Sequence, residues 1–240
     1  MARIDEIAPD VFRISIYAPQ QEMQYNQFLI RDEEPLLFTT GLNAFFPEMK
    51  EAVERLMKPT DLRWIGFSHF ESDECGSLNK WLELAPQSEA ITGIVSAFVN
   101  INDFALRPAR ILQNQEVFRT GKKQYRYIST PHVPHGWDAG LFFEETDHTL
   151  LTSDLFHHNG DVVPLTKESL ADHCRETLIQ FQQSPFANYI PYNAKTGQIL
   201  KDLAELRPVT LAIMHGSSYY GDGKKAIEEL DEVWKEVLKD

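Results

Sequence analysis

The chain of 240 residues has 42% hydrophobic side chains, enough to bury a sizeable core in one large domain or two small ones. Its 23 basic and 36 acidic residues leave a formal charge of -13, which disfavours nucleic acid and anionic membranes as partners. The sequence has no signal-peptide pattern and no apolar run of membrane-spanning length, so we predict a soluble, cytoplasmic protein. The two cysteines, Cys75 and Cys174, form neither a disulfide framework nor a Cys-x-x-Cys metal motif.

The first elements along the chain are predicted strands. Apolar alternation and polar turns indicate an antiparallel meander over residues 11–17, 25–31 and 36–40. Helical spacing of apolar residues then predicts a helix over 47–58, with prolines at its start and after its end. A buried strand over 62–70 follows, and it leads into a helix that Ser72 or Asp73 caps and Pro86 ends.

In the rest of the chain, strands alternate with helices. Short strands are predicted over 90–95, 109–113, 125–130, 140–145, 149–153 and 209–214. Helices are predicted over 167–183, 196–206 and 223–239. This order suggests two sheets with helices on the outside, an architecture in which functional loops gather at the ends of strands.

Four of the predicted strands lead into a histidine or an aspartate. His69 lies at the C-terminal end of the strand over 62–70, and His135, Asp154 and His215 come at the ends of later strands. A single histidine at such a place is commonly a capped or solvated residue. Four chemically similar endings are hard to explain separately, so we predict that they form one site.

The stretch SHFESDECGS carries the densest group of polar side chains. Residues i, i+2 and i+4 of an extended segment share a face, so His69, Glu71 and Asp73 are expected to converge. A helix N-terminus just beyond adds positive potential that favours ionised carboxylates. This pattern predicts a metal-binding loop. The alternative is that Ser72 or Asp73 only caps the helix while Glu71 is exposed.

The segments HFESDECGSL, PHGWDAGLFF, LLTSDLF and MHGSSYY resemble, in order and spacing, the metal-binding motifs of the flavodiiron branch of the metallo-β-lactamase fold. Stand-alone oxygen-binding diiron proteins are the nearest type. The resemblance spans essentially the whole chain. It implies an α/β (α+β) fold, the αββα sandwich of two mixed sheets flanked by helices. We expect a single domain over residues 1–240 without a flavodoxin domain, because the sequence ends just after its last predicted helix and has no Gly-rich phosphate loop.

The resemblance implies a centre of two iron ions (Fe²⁺/Fe³⁺) with an oxo or hydroxo bridge. The ligands that it implies are His69, Glu71 and His135 for one iron, Asp73 and His215 for the other, and Asp154 as the bridge. The donor chemistry agrees, because carboxylates mixed with imidazoles suit iron or manganese. The zinc hydrolases of this fold differ, since their loop reads His-x-His-x-Asp-His.

Glu74 departs from the family pattern, which commonly has a histidine directly after the aspartate. If Glu74 ligates the second iron, the extra anion should lower the reduction potential. If Glu74 points away, the second iron is under-coordinated. His157, His158 and Tyr25 are further candidates for the pocket around the metals.

We expect a diiron protein that binds dioxygen, as a sensor or carrier. The first alternative is an oxygen or nitric-oxide reductase that uses a separate electron-donor protein. The second alternative is a metal-dependent hydrolase, against which Glu71 argues. The expected partners are dioxygen or nitric oxide and a separate redox or signalling protein. A monomer and a homodimer are equally open.

Overall fold

The N-terminal half of the chain forms a seven-stranded sheet in the computed structural model, which describes residues 1–238. Its strands lie in sequence order: β1 (Arg3–Ala8), β2 (Val11–Ala18), β3 (Met23–Ile30), β4 (Leu36–Phe38), β5 (Trp64–Gly66), β6 (Glu89–Gly93) and β7 (Arg110–Leu112). The first four strands are antiparallel, and β4 to β7 are parallel. The sheet is therefore mixed, with the predicted meander at its start.

The C-terminal half forms a second sheet of seven strands. Along the chain they are β8 (Val117–Arg119), β9 (Gln124–Ser129), β10 (Gly140–Glu144), β11 (Thr149–Ser153), β12 (Leu165–Thr166), β13 (Thr210–Ile213) and β14 (Ser218–Tyr220). Their order across the sheet is β12-β14-β13-β11-β10-β9-β8. Strands β9 and β11 are each antiparallel to β10, and β11 is parallel to β13. Consequently the carboxyl ends of β9, β11 and β13 meet at one edge.

Helices cover the outer face of each sheet. They are α1 (Phe46–Glu54), α2 (Ser72–Cys75), α3 (Leu78–Leu84), α4 (Ile94–Ser96), α5 (Asn102–Phe104), α6 (Ala171–Gln182), α7 (Thr196–Glu205) and α8 (Gly223–Leu238). A π-helical turn, Ala97–Ile101, joins α4 to α5, and 3-10 turns lie at Asn43–Phe45 and Pro59–Asp61. Within the described residues, no helix combines the length and the apolar character needed to span a bilayer.

Three apolar clusters give the molecule four layers. One cluster joins the first sheet to α1 and α3, and another joins the second sheet to α6, α7 and α8. The third lies between the sheets, where the rings of Phe38 and Phe142 are 5.4 Å apart. Gly66 lets the sheets approach, since a Cβ there would lie 2.5 Å from the Phe142 ring. The predicted αββα sandwich of two mixed sheets is confirmed.

Several helix boundaries differ from the prediction, and α6 begins at Ala171 rather than at residue 167. Helix α1 ends at Glu54 rather than at residue 58, because the N–H groups of residues 56 and 57 both turn back to the Val53 carbonyl. The helix expected to start at residue 72 is divided into α2 and α3. Ser77 causes the break, because its hydroxyl and its N–H donate to the carbonyls of Thr40 and Gly41. Lys239, the expected last residue of α8, lies outside the described residues.

The strand expected over 62–70 is confined to β5. Ser68 leaves the sheet because its N–H donates to the Glu74 side chain and its carbonyl accepts from Gly140 of the second sheet. The chain then turns toward the space where the two sheets meet, and His69 turns with it. Strands β1, β8, β12 and β14 were not predicted, since three of them have only two or three residues and carry little apolar pattern.

Candidate metal centre

The loops at one edge of the two sheets bring the predicted residues together. His69 and Glu71 lie between β5 and α2, and Asp73 lies in the first turn of α2. The remaining three, His135, Asp154 and His215, follow β9, β11 and β13. Parallel orientation explains the meeting, because strands that run the same way end at the same edge.

Four of these residues form a first position for a metal ion. The ligand atoms of His69, Glu71, His135 and Asp154 all lie within 4.8 Å of one another. His69 Nε2 is 3.0 Å from Glu71 Oε2, and His135 Nε2 is 3.1 Å from Asp154 Oδ2. A single ion placed among them would face two imidazole nitrogens and two carboxylate oxygens.

A second position lies on the other side of Asp154. Its Oδ1 atom is 3.1 Å from His215 Nε2, which is also 3.3 Å from Asp73 Oδ2. The two oxygens of Asp154 therefore face different histidine sets, which is the arrangement of a bridging carboxylate. The second position has three protein donors, one fewer than the first.

The chemistry of these residues fits a pair of metal ions. Asp154, His69 and His215 are at least 95% buried, and Asp73 Oδ1 is buried with no hydrogen-bond partner in residues 1–238. Such a concentration of buried charge is costly unless protons or metals compensate it. Oxygen and imidazole donors in this proportion suit iron or manganese, whereas zinc sites are dominated by histidine and thiolate.

Without a metal, shared protons hold the groups together. Although burial opposes it, the carboxylates of Asp154 and Glu71 raise the pKa of His135 to about 10. Conversely, the hydrogen bonds from His135 and His69 lower the pKa of Glu71 to about 2. The carboxylates are thus ionised at neutral pH, and a metal ion would replace the protons on the Nε2 atoms.

The opposite nitrogens of two histidines are held by neighbouring groups. His215 Nδ1–H donates to the Gln24 carbonyl at 2.9 Å, and His69 Nδ1 is 3.2 Å from the Ser68 hydroxyl. A donor role for Nδ1 leaves the lone pair of Nε2 directed at the metal position. Gln24 lies on β3, so its part could not be predicted from the local sequence around His215.

Glu74 lies behind His69 and not beside the second position. Its carboxylate accepts a 3.0 Å hydrogen bond from the Ser68 N–H and another from the Ser153 hydroxyl. Its nearest approach to His69 is 3.8 Å, and the atom that it faces there is Nδ1. Glu74 therefore points away from the second position in this structure, and its role as a metal ligand stays a prediction.

A cavity of about 400 Å³ opens onto both positions. Tyr25 and His157, two predicted pocket residues, line it, and their rings lie 5.2 Å and 4.6 Å from the His215 ring. Burial, with the charge on His215 second, lowers the pKa of His157 to about 3, so this ring is neutral. Aromatic side chains of α6 and the loop after it close the cavity, and these were not predicted: Phe181, Phe186 and Tyr189.

His158, the third predicted pocket residue, does not line this cavity. Its Nδ1–H donates to the Phe156 carbonyl at 2.7 Å, and its Nε2 accepts from the Ser217 N–H at 2.9 Å. Its ring packs over Gly216, where a Cβ would lie 2.3 Å from it. Because both of its ring nitrogens are hydrogen-bonded, His158 supports the loop that carries His215. This role could not be predicted from its position in the sequence beside His157.

Comparison with known proteins places the chain beside flavodiiron proteins. It is 21% identical over 202 residues to the rubredoxin-oxygen oxidoreductase of Megalodesulfovibrio gigas, covering 82% of this chain and 49% of the relative. It is 27% identical over 147 residues to the anaerobic nitric oxide reductase flavorubredoxin of Klebsiella pneumoniae, covering 58% and 30%. The chain therefore spans about half or less of the length of these curated relatives.

The fold is shared with solved structures. A mutant form of the flavo di-iron protein from Thermotoga maritima superposes with a TM-score of 0.81 at 18% identity, over 98% of this chain and 63% of that one. The family model described as ODP family beta lactamase matches residues 23–216, which include every residue of both positions. The chain accordingly belongs to the ODP family beta lactamase, in the flavodiiron-like branch of the metallo-β-lactamase fold.

Proposed function

We propose that this chain is a single diiron domain that reduces dioxygen or nitric oxide with electrons from a separate redox domain or protein. The observation that carries the proposal is the division of Asp154 between two histidine sets, at 3.1 Å from each. A carboxylate shared in this way holds two metal ions close together. The proposed ligands are those of the first and second positions: His69, Glu71, Asp73, His135, Asp154 and His215.

Iron held at these positions would supply electrons for the reduction of a small ligand in the cavity. The donor would then reduce the iron again. The chain contributes the geometry around the iron. The second position offers three protein donors and the first offers four, so an ion at the second position would keep more room for a ligand. Asp73, Asp154 and His215 all line the cavity, so a diatomic ligand that enters it is expected to arrive next to His215.

The cavity walls are suited to a small, weakly polar ligand. Phe181 and Phe186 form an aromatic wall of the cavity, with ring centroids 5.7 Å apart. The Tyr189 hydroxyl is buried there and has no hydrogen-bond partner in the described part of the chain. Burial, followed by the charge on Asp154, raises the pKa of Tyr189 well above its usual range, so the hydroxyl keeps its proton. It can therefore donate a hydrogen bond to a ligand in the cavity.

The names of the relatives support reduction over simple binding. One is a rubredoxin-oxygen oxidoreductase and another is a nitric oxide reductase flavorubredoxin. The order of the hypotheses from the sequence is therefore reversed, and the reductase moves ahead of the oxygen sensor or carrier. Both hypotheses use the same centre and differ in whether electrons reach it.

Dioxygen binding without reduction is the second candidate. The unpartnered polar atoms at the cavity, His157 Nε2 and Tyr189 Oη, favour it, because hydrogen bonds from the walls would retain a ligand as well as activate it. In this case the partner would be a protein that responds to occupancy of the site.

The test is turnover with and without a donor. Protein purified without oxygen and loaded with ferrous iron is mixed with nitric oxide or dioxygen, alone and with rubredoxin plus its NADH-dependent reductase. Gas consumption and NADH oxidation are followed together. The matched control is Asp154→Asn, which keeps the size of the bridging side chain and removes its charge.

Continuous, donor-dependent consumption that Asp154→Asn abolishes is the expected result. A spectral change that appears with dioxygen, reverses when the gas is removed and brings no NADH oxidation would favour the second candidate. Hydrolysis of an ester or a phosphate without any redox change would contradict both.

A further inference from the structure

The loop that carries His215 is held by the opposite sheet. This segment, residues 213–217, begins at the last residue of β13 of the second sheet and is called the His215 loop below. Strand β3 of the first sheet runs alongside it. The Asn26 N–H donates to the Met214 carbonyl at 2.9 Å, and the Gln24 carbonyl accepts from His215 Nδ1–H at 2.9 Å. The main chain of β3 therefore makes two hydrogen bonds across the sheets, one to Met214 and one to the His215 side chain.

The Asn26 side chain completes the attachment. It is fully buried, and its Nδ2 donates to the Ile213 carbonyl at 2.9 Å and to the Gly216 carbonyl at 2.8 Å. Arg13, which is 99% buried, adds a third donor, since its Nη2 is 3.1 Å from the same Gly216 carbonyl. The carbonyls on both sides of His215 are therefore fixed by side chains of β2 and β3.

The His69 loop is tied to the other sheet as well, since the Ser68 carbonyl accepts from the Gly140 N–H. The two histidines differ in the group that holds Nδ1, because His69 is held by its own neighbour Ser68 and His215 by the Gln24 carbonyl of β3. His215 is the sole histidine of the second position, where it must stay within 3.1 Å of Asp154 Oδ1 and 3.3 Å of Asp73 Oδ2. A small shift of the His215 loop would open that position and leave the first one intact.

We propose that Asn26, assisted by Arg13, is a positioning residue for the second metal position. Occupancy of that position is then coupled to the docking of the first sheet against the His215 loop. The inference rests on the proposed two-metal centre. It goes beyond that centre in two ways. It assigns the second position as the one that binds metal more weakly, and it names residues outside the ligand set that set this affinity.

The test is a stepwise metal titration. Ferrous iron is added without oxygen to metal-free wild type, Asn26→Leu and Asn26→Asp, in competition with a chromophoric chelator. Asn26→Leu keeps the approximate volume and removes the amide, whereas Asn26→Asp turns a carboxylate toward two carbonyl oxygens. Asn79→Leu is the matched control, because Asn79 Nδ2 also donates to a carbonyl, that of Phe104, outside the metal loops.

Wild type and Asn79→Leu are expected to take up two equivalents. In both Asn26 variants the first equivalent should bind as before, and the second roughly 10- to 100-fold more weakly, as for other residues that orient a ligand. A wild-type protein that takes up one metal or none contradicts the proposed function and the positioning role with it. Unchanged affinity for the second equivalent in folded Asn26 variants contradicts the positioning role alone, as does equal weakening of both equivalents.

A second measurement needs no variant. Amide hydrogen exchange of the wild type, with zero, one and two equivalents of ferrous iron, reports on the Asn26 N–H that donates to Met214. Protection of the peptide containing Asn26 should rise at the second equivalent. A rise that is complete at the first equivalent, or no rise at all, would overturn the coupling.

Discussion

The two oxygens of Asp154 face positions that are built differently. At the first position four donors converge within 4.8 Å, and the hydrogen bond behind His69 comes from the adjacent residue. The second position has three donors, and the hydrogen bond behind His215 comes from Gln24, which is 191 residues away in the sequence. A neighbouring residue therefore holds the ring of His69, whereas a strand of the other sheet holds the ring of His215, although both positions draw their donors from loops of both sheets.

This difference suggests different sensitivities. Substitutions that loosen the contact between β3 and the His215 loop should affect the second position before the first. Metal at the second position should in turn stabilise the assembled sandwich, because ligands that bind only the folded state shift the equilibrium toward it. The four predictions below test this comparison, and they are ordered by the size of the expected effect.

The largest effect is expected from Asp154→Asn, because this residue is shared by both positions. Loss of its charge leaves the imidazoles of His69, His135 and His215 without their common partner, so metal uptake at both positions should fall to near zero. Iron per chain after anaerobic reconstitution measures this. Asp172→Asn, on the exposed face of α6, is the control and should keep the wild-type iron content. Retention of one tightly bound iron by Asp154→Asn would contradict the shared role.

A pair of histidine variants should separate the positions. The His215→Ala variant is expected to retain about one iron per chain, because the four donors of the first position are unchanged in it. His135→Ala removes one donor of the first position and should give a different half-loaded protein. Titration with ferrous iron and the electronic spectrum of each product make the comparison. Identical spectra from the two variants would contradict the assignment of separate ligand sets.

Glu74 offers a pH-dependent test on the metal-free protein. Burial raises its pKa from 4.5 to about 7, so the folded state binds the proton more tightly than the unfolded chain does. This contribution to stability is fully present below pH 4.5 and is lost as the pH rises to about 7. Glu74→Gln cannot titrate, so wild type should lose free energy of unfolding relative to this variant across that window. Urea denaturation at several pH values measures the difference, and a constant difference would contradict the placement of Glu74.

The smallest effect is expected from Tyr189→Phe. Removing a buried hydroxyl that has no partner should leave the free energy of unfolding of the metal-free protein within about 0.5 kcal/mol of wild type. Azide binding to the oxidised, iron-loaded protein should weaken by a few-fold, because a donor to the cavity is lost. A large loss of stability would show that the hydroxyl has a structural partner instead.

The residues that meet at this edge of the sheets could largely be predicted from the sequence, because His69, His135, Asp154 and His215 each follow a strand. The alternation of His69, Glu71 and Asp73 is a local pattern, and the sandwich follows from strand order and apolar faces. The orientation of Glu74 was not accessible, since it depends on the hydroxyl of Ser153, a residue of the other sheet. Tyr189 was missed for a similar reason, because nothing in the loop after α6 shows which ring turns inward.

The contacts of Asn26 with the His215 loop could not be predicted from the sequence either. As a polar residue inside an alternating strand it was compatible with a surface position, yet it is fully buried against the His215 loop. Contacts between distant strands depend on how the sheets stack, and this is a property of the packed core rather than of any single segment.

The measurement that tests the central claim most directly is Mössbauer spectroscopy of wild type reconstituted with ⁵⁷Fe and oxidised in air. One carboxylate between two ions predicts about two irons per chain, coupled to a diamagnetic ground state, with distinct sites for the four-donor and three-donor positions. One iron per chain, or two irons that are magnetically independent, would contradict a centre bridged by Asp154.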